Sequence, residues 1–320
     1  YMNIVLIGAP FMCMSCVLNN QLRFQGNAFF SMIGLVSGAV LNCVLDPLFI
    51  FNLNMGVSGA ALATIISQIF SCALLYIGTL RSDSLKIKLR NFRPTLFYLK
   101  NIAIGGAPSL FRQGLASVAT LCLNTSAGAA VAPEMADAAI AAFSVVGKVM
   151  MFGFSALLGF GQGFQPVCGF NYGARKYDRM HRAFSFSVKV TTIVLLVLGA
   201  AGFAFAEPVV TLFRRSDPEV IRIGTETFRI QILTVWAWGF ITLSNMYTQA
   251  IGYGIRSTIL AAARQGLFLI PTLLVLPNVW GLRGLEVCQP LADVLTLALA
   301  VWMMTKVIRA QKAQMAQETA

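Results

Sequence analysis

The chain has 320 residues, 57% of them hydrophobic and only 11% charged, with a mean hydropathy of +0.74. A soluble domain carries about 25% charged residues, so an ordinary water-soluble protein is excluded and the bilayer is the solvent. Lys and Arg outnumber Asp and Glu by 24 to 12, but the basic residues stand between apolar runs, which reads as membrane topology and sets nucleic acid aside.

Spans of about 20 apolar residues divide the chain into nine, at roughly 1–22, 27–51, 56–80, 99–129, 135–169, 183–213, 222–252, 256–279 and 283–307. The chain begins at Tyr1 inside an apolar span, with neither Met nor a charged leader, so no signal peptide is expected and it reads as part of a longer protein. Arg81, Lys86, Lys88, Arg90, Arg93 and Lys100 follow the third span, and Arg175, Lys176, Arg179 and Arg182 the fifth. Those loops are expected on the cytoplasmic side, and alternation places the tail with Lys306, Arg309 and Lys312 there too. Arg214, Arg215, Arg222 and Arg283 run against the rule, the first three with Asp217 and Glu219 nearby.

The first span exits through Gln21-Leu-Arg-Phe-Gln-Gly26, which resembles Gln249-Ala-Ile-Gly-Tyr-Gly254, and Gly56-Val-Ser-Gly59 resembles Gly281-Leu-Arg-Gly284. These in-order matches, 228 and 225 residues apart, predict that spans one to three repeat as spans seven to nine.

In the second span Asn42 and Asp46 are four apart and share a helix face, while Pro47 removes a backbone donor beside them. A carboxylate, an amide oxygen and freed carbonyls suit a small cation or a proton; alternatively Asp46-Pro47 ends the helix at the interface. Thr64 lies about 12–13 Å and Asp46 about 8–9 Å from the outer ends of their spans, depths compatible with contact. The repeat copy aligns Ile270 and Leu274 with Asn42 and Asp46, so the scaffold does not require the pair. Gly34 and Gly38 form a close-packing GxxxG.

Ionisable groups within spans are functional candidates. Arg112 and Gln113, in the fourth span, can face a cavity, snorkel or pair across the bundle, and Asn124 lies three turns further on. Lys148 and Asp293 are further intramembrane charges that line a pathway or form a structural pair. Met150, Met151, Phe152, Phe154 and Phe160 offer an adaptable apolar surface or plain packing. The seven cysteines, with Cys13 and Cys16 as CxxC, read as packing residues, and the single histidine, His181, leaves no zinc-ligand set. In "GQGFQPVCGFNYGARKYDR", Gly161 and Gly163 read as close-packing or hinge points and Gln162 and Gln165 as interior polar groups. Pro166 reads as a local break, and Asn171-Tyr-Gly173 as a cytoplasmic turn.

"GFGQGFQPVCGFNYGARKYDR", with "GAPSLFRQ", "NCVLDP" and "GVSGAALAT", resembles the multidrug and toxic compound extrusion (MATE) family along the whole chain, in particular its bacterial MepA-like branch. The resemblance implies an all-α polytopic membrane protein of twelve helices in two pseudo-symmetric six-helix lobes. Nine of them are expected here, residues 1–92 as the C-terminal half of the N-lobe and 93–320 as the C-lobe. It implies a secondary efflux transporter in the bacterial inner membrane, multi-pass with a cytoplasmic C-terminus, exchanging cationic or amphipathic drugs for inward Na+ or H+ by alternating access. It further implies no enzyme activity, no cofactor beyond that coupling ion, and a monomer whose partners are membrane lipid and small-molecule drugs. By motif, the coupling or Na+ site falls on Asn42, Asp46, Thr64 and Tyr1, and the substrate-cavity candidates are Arg112, Gln113, Asn124, Lys148, Met151 and Asp293. The acidic residues of the second lobe in the NorM-like branch are replaced by Arg112 and Gln113. The competing readings are a lipid-linked oligosaccharide flippase, which needs Arg112, Lys148 and Arg264 to converge on one large cavity, and an integral membrane enzyme, for which no metal set or acid–base pair is evident.

Overall fold

The computed structural model describes residues 2–81, 95–129, 136–213 and 217–319. Those residues form helices and short turns, with no strand among them. In chain order the helices are α1 (Met2–Phe24), α2 (Ala28–Pro47), α3 (Gly56–Leu80), α4 (Leu96–Ala129), α5 (Ala136–Gly173), α6 (Tyr177–Ala204), α7 (Ala206–Phe213), α8 (Pro218–Ile232), α9 (Val235–Ala250), α10 (Gly254–Ala262) and α11 (Ile270–Thr319). Two π-helical segments, Leu48–Asn52 and Ala263–Leu269, continue α2 and α10.

Six runs are long and apolar enough to cross a membrane: Asn3–Phe24, Ala28–Asn52, Gly56–Leu80, Asp137–Gly173, Tyr177–Ala204 and the 62-residue Gly254–Met315. The other expected spans are helical as well. Lys100, Arg112 and Gln113 dilute α4, and the span expected at 222–252 is broken between α8 and α9. The last two expected spans lie within Gly254–Met315, parted at Gly281 (φ 57°, ψ −136°), a backbone conformation that only glycine takes easily. The span expected at 183–213 starts earlier, at Tyr177, and parts at Phe205 before the short α7. Helix α8 starts on Asp217, whose carboxylate accepts from the Val220 amide at 3.4 Å, with Pro218 as its first residue. Glu219 pairs with Arg222 at 2.8 Å on the exposed side of the same turn.

The chain divides into two compact units, Tyr1–Pro94 and Thr95–Ala320. In the first, α3 packs on α1 and α2 around Leu18, Leu22, Cys72 and Leu75. The GxxxG sets the approach of α2: a Cβ on Gly34 would lie 2.5 Å from Leu75 Cδ2 and one on Gly38 2.7 Å from Ser71 Cβ. The Ser71 hydroxyl uses that closeness to donate to the Gly34 carbonyl at 2.7 Å. In the second unit, separate apolar clusters form around Phe184 and Tyr247, around Leu273 and Leu285, and around Phe228 and Trp238.

The internal repeat is present in the backbone, and it corrects the sequence alignment. Helices α1 and α9 end on glycines of nearly equal φ, Gly26 at 80° and Gly252 at 82°. Each is closed by the long-range amide of a Schellman turn, Asn27 to the Leu22 carbonyl and Tyr253 to the Thr248 carbonyl, both 2.9 Å. The Asn19 amide donates to the Ser31 carbonyl at 3.0 Å and the Asn245 amide to the Ser257 carbonyl at 2.6 Å; each serine hydroxyl answers to its asparagine's own carbonyl. These pairs are 226 residues apart, not 228. Gly56 and Gly281 then match at 225, with φ of 54° and 57°. Under this register Asn42 and Asp46 correspond to Phe268 and Thr272 rather than Ile270 and Leu274. Gly34 and Leu75 correspond to Leu260 and Ala300, which share one cluster, so bulk has changed sides of the same contact.

The stretch that ends α5 also differs from expectation. The helix runs through Pro166 to Gly173, and the turn follows it, with Arg175 in the left-handed region at φ 55°. Gly161 packs against Met246, whereas a Cβ on Gly163 would meet nothing within 4 Å. Gln165 does face a neighbouring helix, donating to Gln249 Oε1 at 3.0 Å.

Close glycine packing makes a direct prediction. Gly38→Ile should destabilise the protein by about 1–3 kcal/mol through overpacking against Ser71, seen as a lower melting midpoint of the detergent-solubilised protein. Gly114→Ala, inside α4 where a Cβ meets no atom within 4 Å, should not lower the midpoint and should raise it slightly through helix propensity.

Candidate functional sites

The first unit holds the amide–carboxylate pair. Asn42 Nδ2 donates to Asp46 Oδ1 at 3.3 Å on one face of α2, and both residues are half-buried. That bond uses the amide nitrogen and one carboxylate oxygen, leaving Asn42 Oδ1 and Asp46 Oδ2 as acceptors for a proton or a hard cation. The helix does not end at Asp46-Pro47; it widens into the π-helical Leu48–Asn52. Thr64 is half-buried on α3, and its hydroxyl donates to the Ala60 carbonyl at 2.9 Å instead of to the pair. Tyr1 lies outside the described residues.

The second unit holds a polar crevice. Gly266 allows its assembly, because a Cβ there would lie 2.6 Å from Leu115 Cδ1; the π-helical Ala263–Leu269 thus approaches α4 closely. A cavity of about 120 Å³ carries Arg112 and Gln113 from α4 and Arg264 and Gln265 from that segment. It shares these two glutamines, Arg264, Phe154 and Leu158 with an adjoining crevice of about 420 Å³, where Met150 and Met151 also lie.

Asp293 is fully buried and stands behind this cavity rather than in its lining. Its Oδ1 accepts from Arg264 Nε at 2.7 Å and Gln289 Nε2 at 3.2 Å; its Oδ2 accepts from Trp238 Nε1 at 2.7 Å and the Thr234 hydroxyl at 3.1 Å. The Arg264 guanidinium lies 4.2 Å from the Trp238 ring centroid and 5.3 Å from that of Phe154. The carboxylate is therefore an anchor that aims Arg264 by charge, hydrogen bond and cation–π contact together.

Other candidates fall elsewhere. Lys148 is exposed on α5 and lines neither cavity, whereas its neighbours Val145 and Val146 turn inward. Among the described residues Arg112 and Arg264 line one cavity without Lys148, and Asp293 balances the charge of Arg264. Asn124 is half-buried but lines neither cavity, and Phe152 is exposed away from them. Cys72, Cys168 and Cys288 are buried in apolar clusters, while Cys13 and Cys16 are exposed free thiols.

Sequence reasoning missed Thr234, Trp238 and Gln289 as partners of Asp293. Only Gln289, four residues before it, carried a local signal. It also missed Gln311, 1% exposed, whose Oε1 receives the Tyr247 hydroxyl at 2.6 Å and lies 2.9 Å from His181 Nε2. Those contacts tie α6, α9 and α11 at one end of the unit.

Long apolar helices that carry a carboxylate–amide pair and a guanidinium-lined crevice are those of a polytopic membrane protein. The MatE family model matches residues 115–275, half of the chain, and the chain belongs to that family. It is similar to the multidrug export protein MepA of Staphylococcus haemolyticus, 27% identical over 94% of this chain and 65% of that protein. The multidrug export protein MepA of Staphylococcus saprophyticus is also 27% identical, over 97% of this chain and 67% of its own length. The chain thus spans about two thirds of those relatives. Among solved structures, the outward-facing conformation of a multidrug resistance MATE family transporter of the MOP superfamily superposes with a TM-score of 0.89 at 27% identity, covering 97% of this chain and 69% of that one.

Burial of the Arg264–Asp293 pair gives a stability prediction. Asp293→Ala leaves a guanidinium only 12% exposed without its counter-charge and should cost about 3–5 kcal/mol. The double substitution Asp293→Leu with Arg264→Met should recover most of that loss. Thermal unfolding followed by tryptophan emission measures both.

Proposed function

We propose that the chain belongs to a secondary active multidrug efflux transporter that exports amphipathic compounds in exchange for inward Na+ or H+ by alternating access. Membership of the MatE family, together with the Asn42–Asp46 pair on one face of α2, carries this reading. The internal repeat supports a fold of two related six-helix lobes, residues 93–320 forming one and residues 1–92 belonging to the other. The positive loops support a bacterial cytoplasmic-membrane protein with its C-terminus inside.

In this mechanism Asp46 takes the coupling cation or proton from outside, with Asn42 Oδ1 as a second ligand and Tyr1 and Thr64 as further candidates. Thr64 would first release the Ala60 carbonyl. Binding shifts the protein towards the conformer that releases drug only in proportion to the ion's differential affinity for the two conformers. The crevice beside Arg112, Gln113 and Met151 is the drug-facing surface, held in shape by Asp293 behind it. Asn124 and Lys148 have no assigned part.

Asp46 is the residue to test. Asp46→Asn keeps the hydrogen-bond acceptor but removes the charge, and is expected to reduce efflux of a zwitterionic amphipathic dye such as rhodamine B, driven by an imposed Na+ or pH gradient, at least tenfold in cells with matched expression. Undiminished gradient-driven efflux in that variant would remove Asp46 from the coupling site.

A further inference from the structure

We infer that the cavity between α4 and the π-helical Ala263–Leu269 binds the anionic group of an amphiphile, a carboxylate or a phosphate, through Arg112 and the outer nitrogens of Arg264. The inference rests on the transport reading only in taking this cavity as a place where cargo sits.

Arg112 stands near the middle of α4, about 24 Å from its start and about 26 Å from its end at 1.5 Å per residue. Its side chain cannot reach past either end of so long a helix. It is half-buried, and among the described residues no carboxylate, hydrogen-bond acceptor or aromatic ring partners it. An unpaired guanidinium at such depth is costly, and a counter-charge supplied by a ligand offsets that cost.

Arg264 lines the same cavity with its charge already balanced. Only its Nε is used by Asp293, so the terminal nitrogens retain their N–H donors. Two cations in front of one carboxylate leave the cavity with a net charge of about +1 and with donors in excess. A guanidinium fork matches a pair of oxygens on a carboxylate or phosphate. Phe154, Leu158, Ile241 and Leu260 give the cavity an apolar side that accepts a hydrocarbon or ring body, while Gln113, Thr242, Asn245 and Gln265 add neutral polar groups to its lining. A purely cationic compound meets repulsion here, whereas an anionic or zwitterionic amphiphile satisfies both halves of the wall. The cargo class thereby departs from the cationic drugs that the sequence resemblance implies.

The test is equilibrium binding to the full chain in phosphatidylcholine nanodiscs without an ion gradient, using dansylglycine and dansylcadaverine, which place opposite charges on one fluorophore. Dansylglycine should bind at least tenfold more tightly. Arg112→Gln should erase that preference, and Arg112→Lys should retain part of it. Should Arg112→Gln fail to fold, displacement from the unsubstituted protein decides: octanoate and octyl phosphate should displace dansylglycine, and octylamine should not. Equal or tighter binding of dansylcadaverine, displacement by octylamine, or an unchanged preference in folded Arg112→Gln would overturn the inference. Repeating the titration with phosphatidylglycerol in the nanodisc distinguishes the source of the anion. Competition identifies a lipid headgroup, and its absence a soluble amphiphile; both uphold an anionic occupant. Because no transport is measured, failure here leaves the efflux reading intact, and failure of the Asp46 experiment leaves this one intact.

Discussion

A charge enclosed in a membrane-spanning bundle has no water to turn to, so its partners must be supplied by the fold. Around Asp293 that requirement organises the interior of residues 95–320. Its four donors come from the turn before α9, from α9 itself, from the π-helical segment and from its own helix. Each helix must hold its register to keep them within hydrogen-bonding distance. The result is a rigid wall behind the crevice, with Arg264 fixed against Trp238 and facing the cavity. Stability and the electrostatics of the cavity are consequences of the same four contacts.

The two copies of the internal repeat show what is scaffold and what is chemistry. The glycine turns, the reciprocal Asn–Ser bonds and the positive-φ glycines that open α3 and the second arm of α11 are shared, because they close backbone groups that hydrocarbon cannot satisfy. The polar side chains are not shared. At 226 and 225 residues, Gly38 corresponds to Arg264, Thr64 to Gln289 and Gln68 to Asp293, while Asn42 and Asp46 meet Phe268 and Thr272. One copy carries an amide–carboxylate pair with open acceptors, and the other carries a guanidinium anchored on a closed carboxylate. Duplicated backbone has thus been filled with different charge, which fits a division of labour between ion coupling and cargo recognition.

Much of this was legible in the chain. Apolar length marked helices because a membrane admits few other structures, and the spacing of Asn42 and Asp46 placed them on one face, where they hydrogen-bond. Gly34 and Gly38 were readable as a close approach since the device is local to one helix. The repeat was visible but two residues out in its first match, because the glycine fixing the register, Gly252, was passed over for Gly254. Lys148 shows the limit of that reading: hydropathy reports that a residue lies in an apolar stretch and not which way it points, and Lys148 is exposed on α5.

What the sequence determined by itself is the all-helical membrane character, the duplicated backbone and the spacing of candidate charges. These follow from composition and from interactions between residues a few positions apart. Only the tertiary structure decided that Asp293 is consumed by Arg264, Trp238, Thr234 and Gln289, whereas Arg112 has no counter-charge among the described residues. Those partners lie 29 to 59 residues away from Asp293, apart from Gln289 at four. Which charges are spent on the fold and which are left for a ligand depends on packing between helices, which no local pattern encodes.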